Sequence, residues 1–425
     1  MKLLIWLKVL VFIDFFAVAL VLPILSSYFR DAGLSVQSYG LITSLYATAQ
    51  LLGSLVLGVL SDYTSKKGIL LLSFAGSGLS YVMVGLGKNY IVLLASRVVV
   101  GLVKQTMTTT TLMIAELTED NHAQRSIEMG QLAAISSFSF VIGPSIGGIL
   151  YKYNSMLPAS LAFAMFGLNF VLCYLVIPSD SESAVDSKQT KQDSIRAPFS
   201  FKLVSLQSLP QYAYTLLTSP GGIIFLFRQL ISFTQASMSS SHLLNYYEER
   251  FGVETYDLGF LTSATTMMSL VSQSCLVGFA LKLCKHEVIV IAVCFVVIGL
   301  ANVIESINDD RYVIFVCSLL PSTLVSSVLD TASKAMLINS IPASNLGTML
   351  SSANMVTSIV WVFAPLYGSY TLTALGDIRY KGLLAAAHDG VLVLIALWVF
   401  QFIQHTQVNT ADDRIRRLLD KKKVD

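Results

Sequence analysis

A single carboxylate lies deep inside the first apolar run of the chain. Asp14 stands about ten residues into this run, and a helix rising about 1.5 Å per residue would place it near the centre of a bilayer. A carboxylate at that depth is costly and is therefore a candidate for function. Two interpretations stay open: Asp14 binds and releases a proton, or it is a structural carboxylate bonded to a neighbouring helix.

Basic residues occupy two later apolar runs. Gly101 and Lys104 follow Arg97 at four and seven residues, so a helix places all three on one face. Because cations in a span do not face lipid, we expect Arg97 and Lys104 to face a central cavity and to meet Asp14 there. Arg228 is a third cation, about eight residues into its run. Three cations against one midplane carboxylate indicate an anionic or zwitterionic ligand.

The remaining polar residues and motifs give weaker indications of a functional site. Asp330 and Lys334 are four residues apart and are expected to form a structural pair, with Asp330 and His242 as second choices for a proton site. The sequence shows no metal-ligand spacing, no nucleophile–base set and no phosphate-binding Gly-Lys-Ser/Thr loop. We therefore predict no metal site, no cofactor and no enzymatic activity. The five cysteines are interpreted as small packing residues.

The composition is that of a membrane protein. The 425 residues are 54% hydrophobic and 13% charged, where a soluble domain carries about 25% charged residues. The mean hydropathy is +0.68. Apolar runs of about 18 residues or more recur along the chain, and each is long enough to cross a bilayer as a helix. The formal net charge of +2 excludes an overall basic surface for nucleic acid.

The runs predict an all-α membrane protein with twelve transmembrane helices in two six-helix bundles. The expected division is an amino-terminal bundle at 1–178, a cytoplasmic linker at 179–218, a carboxy-terminal bundle at 219–406 and a cytoplasmic tail at 407–425. The twelve predicted spans are 4–28, 37–61, 68–87, 90–114, 127–150, 157–177, 220–243, 256–281, 287–306, 312–336, 346–374 and 384–405.

The basic residues of the loops predict the orientation. One side collects most of them, including the Lys-rich tail, and basic loops favour the cytoplasm. Both termini are therefore expected in the cytoplasm, in a membrane that the sequence does not specify. The other side carries seven basic residues: Arg30, Lys88, Lys152, Arg250, Arg311, Arg379 and Lys381.

An internal repeat supports two similar halves. Gly33 and Gly40 are followed by two apolar residues and Thr-Ser, and Gly252 and Gly259 repeat this pattern 219 residues later. A fainter echo relates the segment 143–148 to the segment 364–369, at 221 residues. Parallel repeats of this kind form a substrate site between their two halves.

A short charged loop follows the second predicted span. Gly58 permits close helix approach, Asp62 lies near a helix end, and Lys66 and Lys67 face anionic headgroups. With Arg125, on the same predicted side, these residues are expected to form a cytoplasmic charge cluster that acts as a gate. The alternative is a simple basic turn that sets the topology.

The fifth predicted span carries small residues at fixed steps. Glycines at four-residue spacing let helices pack closely, and a proline permits a bend. The alternative is generic packing by small residues. The residues of this pattern are Gly130, Gly143, Pro144, Gly147 and Gly148, with Ser139 where a glycine would be expected.

These motifs together resemble the major facilitator superfamily of transporters. The loop at 58–67 and the spacing at 130–148 are similar to its two signature motifs, although Tyr63 and Ser65 depart from the first. Asp14, followed by Pro23, and Arg97, followed by Gly101, are similar to the drug:proton antiporters of the tetracycline-exporter branch. The resemblance implies a proton-coupled carrier of a small organic solute that works by alternating access, as a monomer in the lipid bilayer.

A second class of function stays open. A non-transporting receptor or scaffold could retain the same fold. The charges buried within the spans favour the transporter, because a scaffold has little need of them.

Overall fold

The structure is a computed structural model, and it describes the chain in ten segments. These are residues 2–61, 65–87, 89–118, 122–178, 220–238, 252–284, 286–307, 312–340, 346–375 and 379–421. Helix dominates these segments and no strand occurs in them, which confirms the all-α prediction. The α-helices are α1 Lys2–Val21, α2 Leu25–Asp31, α3 Val36–Ser61, α4 Lys66–Leu86, α5 Tyr90–Val103, α6 Thr106–Leu117, α7 His122–Tyr153, α8 Met156–Val176, α9 Pro220–Met238, α10 Thr255–Val271, α11 Val277–Cys284, α12 Glu287–Ile307, α13 Tyr312–Ser340, α14 Leu346–Leu375 and α15 Arg379–Lys421.

Ten stretches of the described residues are long and apolar enough to cross a membrane. The predicted spans at 37–61 and 220–243 coincide with helices α3 and α9 but are not among these ten. The arrangement of twelve spans in two bundles therefore stays a prediction. The predicted linker at 179–218 lies outside the described residues, and α15 continues to Lys421, through the boundary predicted at 406.

The first span is interrupted by a proline. Pro23 lies in a 3-10 turn, Leu22–Ile24, which separates α1 from α2. Proline has no N–H to donate to the preceding turn of helix, so the regular hydrogen bonding stops there. Gly33, with a φ of 73°, then reverses the chain towards α3. This left-handed conformation is one that glycine adopts without a steric penalty.

The fourth span, predicted at 90–114, lies in a stretch that is apolar enough to cross a membrane, Tyr90–Leu117, but two helices form it instead of one. Helix α5 ends at Val103, and α6 begins at Thr106. Between them the backbone of Lys104 is extended, with a ψ of 90°. The N–H of Gln105 donates to the Ser73 hydroxyl of α4 at 3.2 Å. This contact with a neighbouring helix satisfies a backbone group that leaves the helical pattern.

The chain divides into two compact units. The first comprises Met1–Gln207, Ala236–Met267 and Ser358–Gly376, and the second comprises the remainder. In the first unit, α1 packs against α7 and α8, α4 packs against α5 and α8, and α3 packs against α5. Its interior contains an apolar core, in which the rings of Tyr81 and Phe166 stack with centroids 5.5 Å apart. In the second unit, α12 packs against α13 and α15 around Phe227, Ile291 and Phe295.

Candidate functional site

Asp14 and Lys104 form an ion pair inside the first unit. The Nζ atom of Lys104 lies 2.5 Å from Oδ1 of Asp14. The side chain of Asp14 is fully buried, whereas that of Lys104 keeps 14% of its surface exposed. The two residues are 90 positions apart, and the pairing depends on the packing of α1 beside the break between α5 and α6.

The same carboxylate contacts the start of α6. The Thr106 hydroxyl donates to Oδ1 of Asp14 at 3.3 Å and also lies 3.0 Å from the Ser73 hydroxyl. Gln105, the residue before α6, gives that helix no capping hydrogen bond through its side chain. The amino end of a helix carries a partial positive charge, so a carboxylate there is stabilised by the helix dipole as well as by Lys104.

The second oxygen of the Asp14 carboxylate differs from the first in its hydrogen bonding. Oδ2 of Asp14 is buried and has no hydrogen-bond partner among the described residues. Leaving a buried polar atom without a partner costs about 1–3 kcal/mol, and more when the group is charged. Unsatisfied buried atoms are uncommon and often mark a site that changes state.

Arg97 also lies in the first unit. The prediction that it meets Asp14 was wrong, because the two side chains do not pair. Its guanidinium donates to the hydroxyls of Ser80, at 3.1 Å, and Ser96, at 3.3 Å. It also lies 5.5 Å from the ring centroid of Tyr81. Arg97 is 4% exposed, and in the part of the chain that the structure describes it has no carboxylate partner.

Arg228 pairs in the second unit. Its guanidinium donates to Oδ1 of Asp330 at 3.0 Å and to the Ser232 hydroxyl at 2.9 Å. Lys334 reaches the other oxygen of Asp330 at 2.6 Å, as its four-residue spacing predicted. Asp330 therefore serves two cations and is 40% exposed.

The structure gives contacts for three of the predicted gating residues, Lys66, Lys67 and Arg125. Lys66 pairs with Glu116 of α6, and Lys67 donates to the carbonyl of Tyr174 at 2.8 Å. Arg125 donates to the carbonyl of Ala115 at 3.0 Å. Asp62 and the surroundings of Gly58 lie outside the described residues, so the gating cluster stays a prediction.

Two glycines of the fifth predicted span bring α7 against α1. A Cβ atom added at Gly147 would lie 1.9 Å from the carbonyl oxygen of Leu20, and one at Gly143 would lie 2.4 Å from Cβ of Ala19. Ser139 reaches the carbonyl of Phe12 at 3.4 Å. At Gly130, an added Cβ would meet open space. The close approach therefore lies along the half of α1 that follows Phe12.

The opposite face of α7 contacts α10. A Cβ at Gly148 would lie 2.8 Å from Cα of Tyr256, and one at Gly259 would lie 2.4 Å from the carbonyl oxygen of Pro144. The hydroxyls of Ser145 and Ser263 are 2.8 Å apart. Small residues from both sequence repeats thus permit close backbone packing between α7 and α10.

Sequence reasoning missed several polar residues of the buried interior. Ser73 accepts a hydrogen bond from the backbone at the α5–α6 break, and Ser80 accepts one from Arg97. No pattern in the sequence singles out either residue, because serines are common in apolar helices. In the second unit, Asn302 donates to the buried Asp389 at 2.8 Å. The assignment of Lys381 to a loop was wrong, because it lies in α15, buried, 3.4 Å from Glu305.

The model of the Major Facilitator Superfamily matches residues 8–365, most of the chain. The chain belongs to the Major Facilitator Superfamily. It is a multi-pass integral membrane protein, as its apolar helices also indicate. The quinolone resistance protein NorA of Staphylococcus aureus is 28% identical over 194 residues, 45% of this chain and 50% of NorA. The match thus spans about half the length of that relative.

A second relative covers nearly the whole chain. The solute carrier family 22 member 18 of Mus musculus is 25% identical over 398 residues, 89% of this chain and 90% of that protein. Among solved structures, the nucleoside transporter NupG has a TM-score of 0.71 at 14% identity, covering 94% of this chain and 99% of its own. The human organic anion transporter MFSD10 has a TM-score of 0.61 at 14% identity, covering 92% and 98%. At such identities these structures establish the fold alone.

Proposed function

We propose that this superfamily member is a secondary active transporter that moves a small organic solute by alternating access, coupled to protons at Asp14. Twelve helices in two six-helix bundles are the architecture proposed for it. In this proposal the protein acts as a monomer, with both termini in the cytoplasm. Family membership supports solute transport, and NupG, which shares the fold, is named as a nucleoside transporter.

The observation that supports proton coupling is the ion pair between the fully buried Asp14 and Lys104. A charge inside a membrane protein is retained at a cost, and it is found mainly where ions, protons or solutes pass. Asp14 has one oxygen that receives Lys104 and Thr106 and another that has no partner in the described part of the chain. Protonation would release Lys104 and give Asp14 a donor of its own, so the pair has two defined states.

The alternative, a non-transporting receptor, predicts no solute flux. The discriminating experiment uses purified full-length protein in liposomes that contain a fluorescent pH indicator. A quinolone, tetracycline, uridine and an aromatic carboxylate are each added with and without a pH gradient. We expect at least one solute to move faster than in protein-free liposomes and to change the internal pH.

The variant Asp14→Asn tests the proposed role of the carboxylate. We expect it to abolish accumulation driven by the pH gradient while exchange at equal pH survives, because exchange needs only the solute path. If Asp14→Asn accumulates the solute as the wild type does, Asp14 does not bind the coupling proton and is a structural carboxylate. If solute flux by the wild type does not respond to the pH gradient, transport is not coupled to protons.

A further inference from the structure

The break in the fourth span concentrates positive charge at one buried point. Lys104 lies within it, and α6, a helix of 12 residues, begins there at Thr106. The first N–H groups of a helix have no partner within that helix, and together with the helix dipole they favour an anion. In the described structure the anion at this point is the carboxylate of Asp14.

The charges around this point do not cancel. Asp14 is ion-paired with Lys104, whereas Arg97 is buried among hydroxyls and meets no carboxylate of the residues that the structure describes. The titratable groups that interact with Asp14 are Lys104, Tyr46 of α3 and Tyr81 of α4. From α7 and α8, Ser139 and Asn169 bond to backbone carbonyls of α1. The described interior around Asp14 thus carries one more positive than negative charge when Asp14 is ionised.

Two independent observations indicate that another group can bind here. Oδ2 of Asp14 is fully buried and has no partner within the described segments, although Oδ1 of the same carboxylate receives both Lys104 and Thr106. The hydroxyl of Ser77 is also buried and unpartnered among the described residues. It stands on α4 one turn after Ser73, which bonds to the break, and one turn before Ser80, which bonds to Arg97.

The surroundings of Lys104 distinguish an organic anion from an inorganic one. Its ammonium group lies 5.0 Å from the ring centroid of Phe166 and 6.0 Å from that of Phe15. Phe15 in turn meets Phe140 edge to face, with centroids 6.4 Å apart, and both rings are partly exposed. A cation flanked by aromatic rings fits an anion that carries an apolar body.

We infer that the break between α5 and α6 binds the carboxylate of an organic anion, and that Asp14 occupies this position when no solute is bound. This inference rests on the proposed transport function and names its substrate class. The Lys104 side chain keeps 14% of its surface exposed whereas that of Asp14 keeps none, so Lys104 is the more accessible member of the pair.

The exchange of carboxylates conserves charge. Asp14 takes up one proton as it leaves Lys104, and the carboxylate of the solute replaces it as the ion-pair partner. Lys104 stays protonated throughout, and one negative charge remains beside it in both states. Removing the partner of a buried charge is costly, so the exchange without the proton is unfavourable. Proton and organic anion therefore bind together and cross in the same direction, unlike the exchange implied by the resemblance to drug:proton antiporters.

The test measures binding rather than transport. Purified full-length protein in detergent is titrated with benzoate, benzamide and benzylamine, and with the corresponding naphthalene compounds, at acidic and at neutral pH. Thermal stability gives the apparent Kd. We expect the carboxylates to bind and the amides and amines not to, with an apparent Kd for the carboxylates about tenfold lower at acidic pH. Preference for the amines, or equal stabilisation by chloride, would overturn the inference.

Variants locate the binding site. Asp14→Asn should bind the carboxylates tightly at both pH values, because the competing charge is gone. Lys104→Gln should lose binding at both, and Lys104→Arg should keep it. Should a single variant fail to fold, the neutral pair Asp14→Asn with Lys104→Gln serves in its place, and carboxylate binding by that pair would overturn the inference. Lys334→Gln, a cation of the second unit, is the matched control and should bind as the wild type does.

Failure here differs from failure of the proposed function. If the liposome assay shows proton-coupled flux of a neutral or cationic solute while no carboxylate binds, the substrate class is wrong and the transporter stands. If carboxylates bind in a pH-dependent manner but nothing crosses the liposome membrane, the site is right and transport is wrong.

Discussion

The two units hold corresponding ion pairs with opposite arrangements of charge. In the first, the carboxylate is on the first span and the cation at the break in the fourth; in the second, Arg228 is on the seventh predicted span and Asp330 on the tenth. Asp14 is fully buried and has one charged partner, whereas Asp330 is 40% exposed and has two. The two units thus hold the same kind of ion pair on corresponding helices, but water reaches the carboxylate of only the second pair.

This difference indicates where coupling can reside. A carboxylate shared by two cations and reached by water keeps its charge when one partner leaves, so its state changes little. A fully buried carboxylate with one partner must lose its charge or gain another cation when that partner leaves. Of the two pairs, only that of Asp14 has the properties of a switch.

The largest expected effect comes from removing Lys104. Lys104→Met leaves the Asp14 charge buried without its partner, and we expect a loss of about 3–5 kcal/mol in the free energy of unfolding at neutral pH. The loss should shrink at acidic pH, where Asp14 can be protonated. Chemical denaturation in detergent measures both values. The double variant Asp14→Asn with Lys104→Met should recover most of the stability; a double variant as unstable as the single one would contradict the ion-pair explanation.

The second effect tests the helix contact that positions Asp14. Gly147→Ala forces a Cβ to within 1.9 Å of the Leu20 carbonyl oxygen, so α1 and α7 must separate. Overpacking of this kind costs about 1–3 kcal/mol. Gly130→Ala lies in the same helix, in open space, and should be neutral or slightly stabilising because alanine favours helix. Equal melting temperatures for the two variants would show that this contact does not hold α1.

A smaller effect is expected in the second unit. Arg228→Met removes the hydrogen bonds to Asp330 and Ser232, which should cost about 1.5 kcal/mol, at the low end for bonds to charged groups. Asp330 keeps Lys334 and water as partners, so the loss should not depend on pH as that of Lys104→Met does. Denaturation at the same two pH values checks this. A pH-dependent loss as large as that of Lys104→Met would remove the difference between the units.

The smallest effect belongs to Lys334. Its pairing with Asp330 is an exposed contact between residues one helical turn apart, and such pairs contribute about 0.3–0.5 kcal/mol. Lys334→Met should therefore shift the melting temperature only slightly, and added salt should hide the shift. A loss above 1 kcal/mol would show that Asp330 is less well solvated than its exposure indicates.

The sequence by itself determined the class of this protein. Apolar runs of sufficient length require helices in a bilayer, since no water is present there to pair exposed backbone groups. The same argument singled out Asp14, Lys104 and Arg228, because a charge within an apolar run needs a reason to be there. The glycine spacing also predicted that α7 packs closely against a neighbour. At Gly143 and Gly147 this helix does pack closely against α1.

Tertiary structure decided which charges meet. The face shared by Arg97 and Lys104 predicted that both reach Asp14, but Lys104 lies where the helix stops, and Arg97 turns to the serines of α4. No proline marks the break at Lys104; the backbone N–H that leaves the helix there donates to the Ser73 hydroxyl of another helix. The pairing of Arg228 with Asp330 spans 102 residues, and the burial of Lys381 depends on Glu305 of α12. Such contacts arise from packing between helices, which local spacing along the chain does not encode.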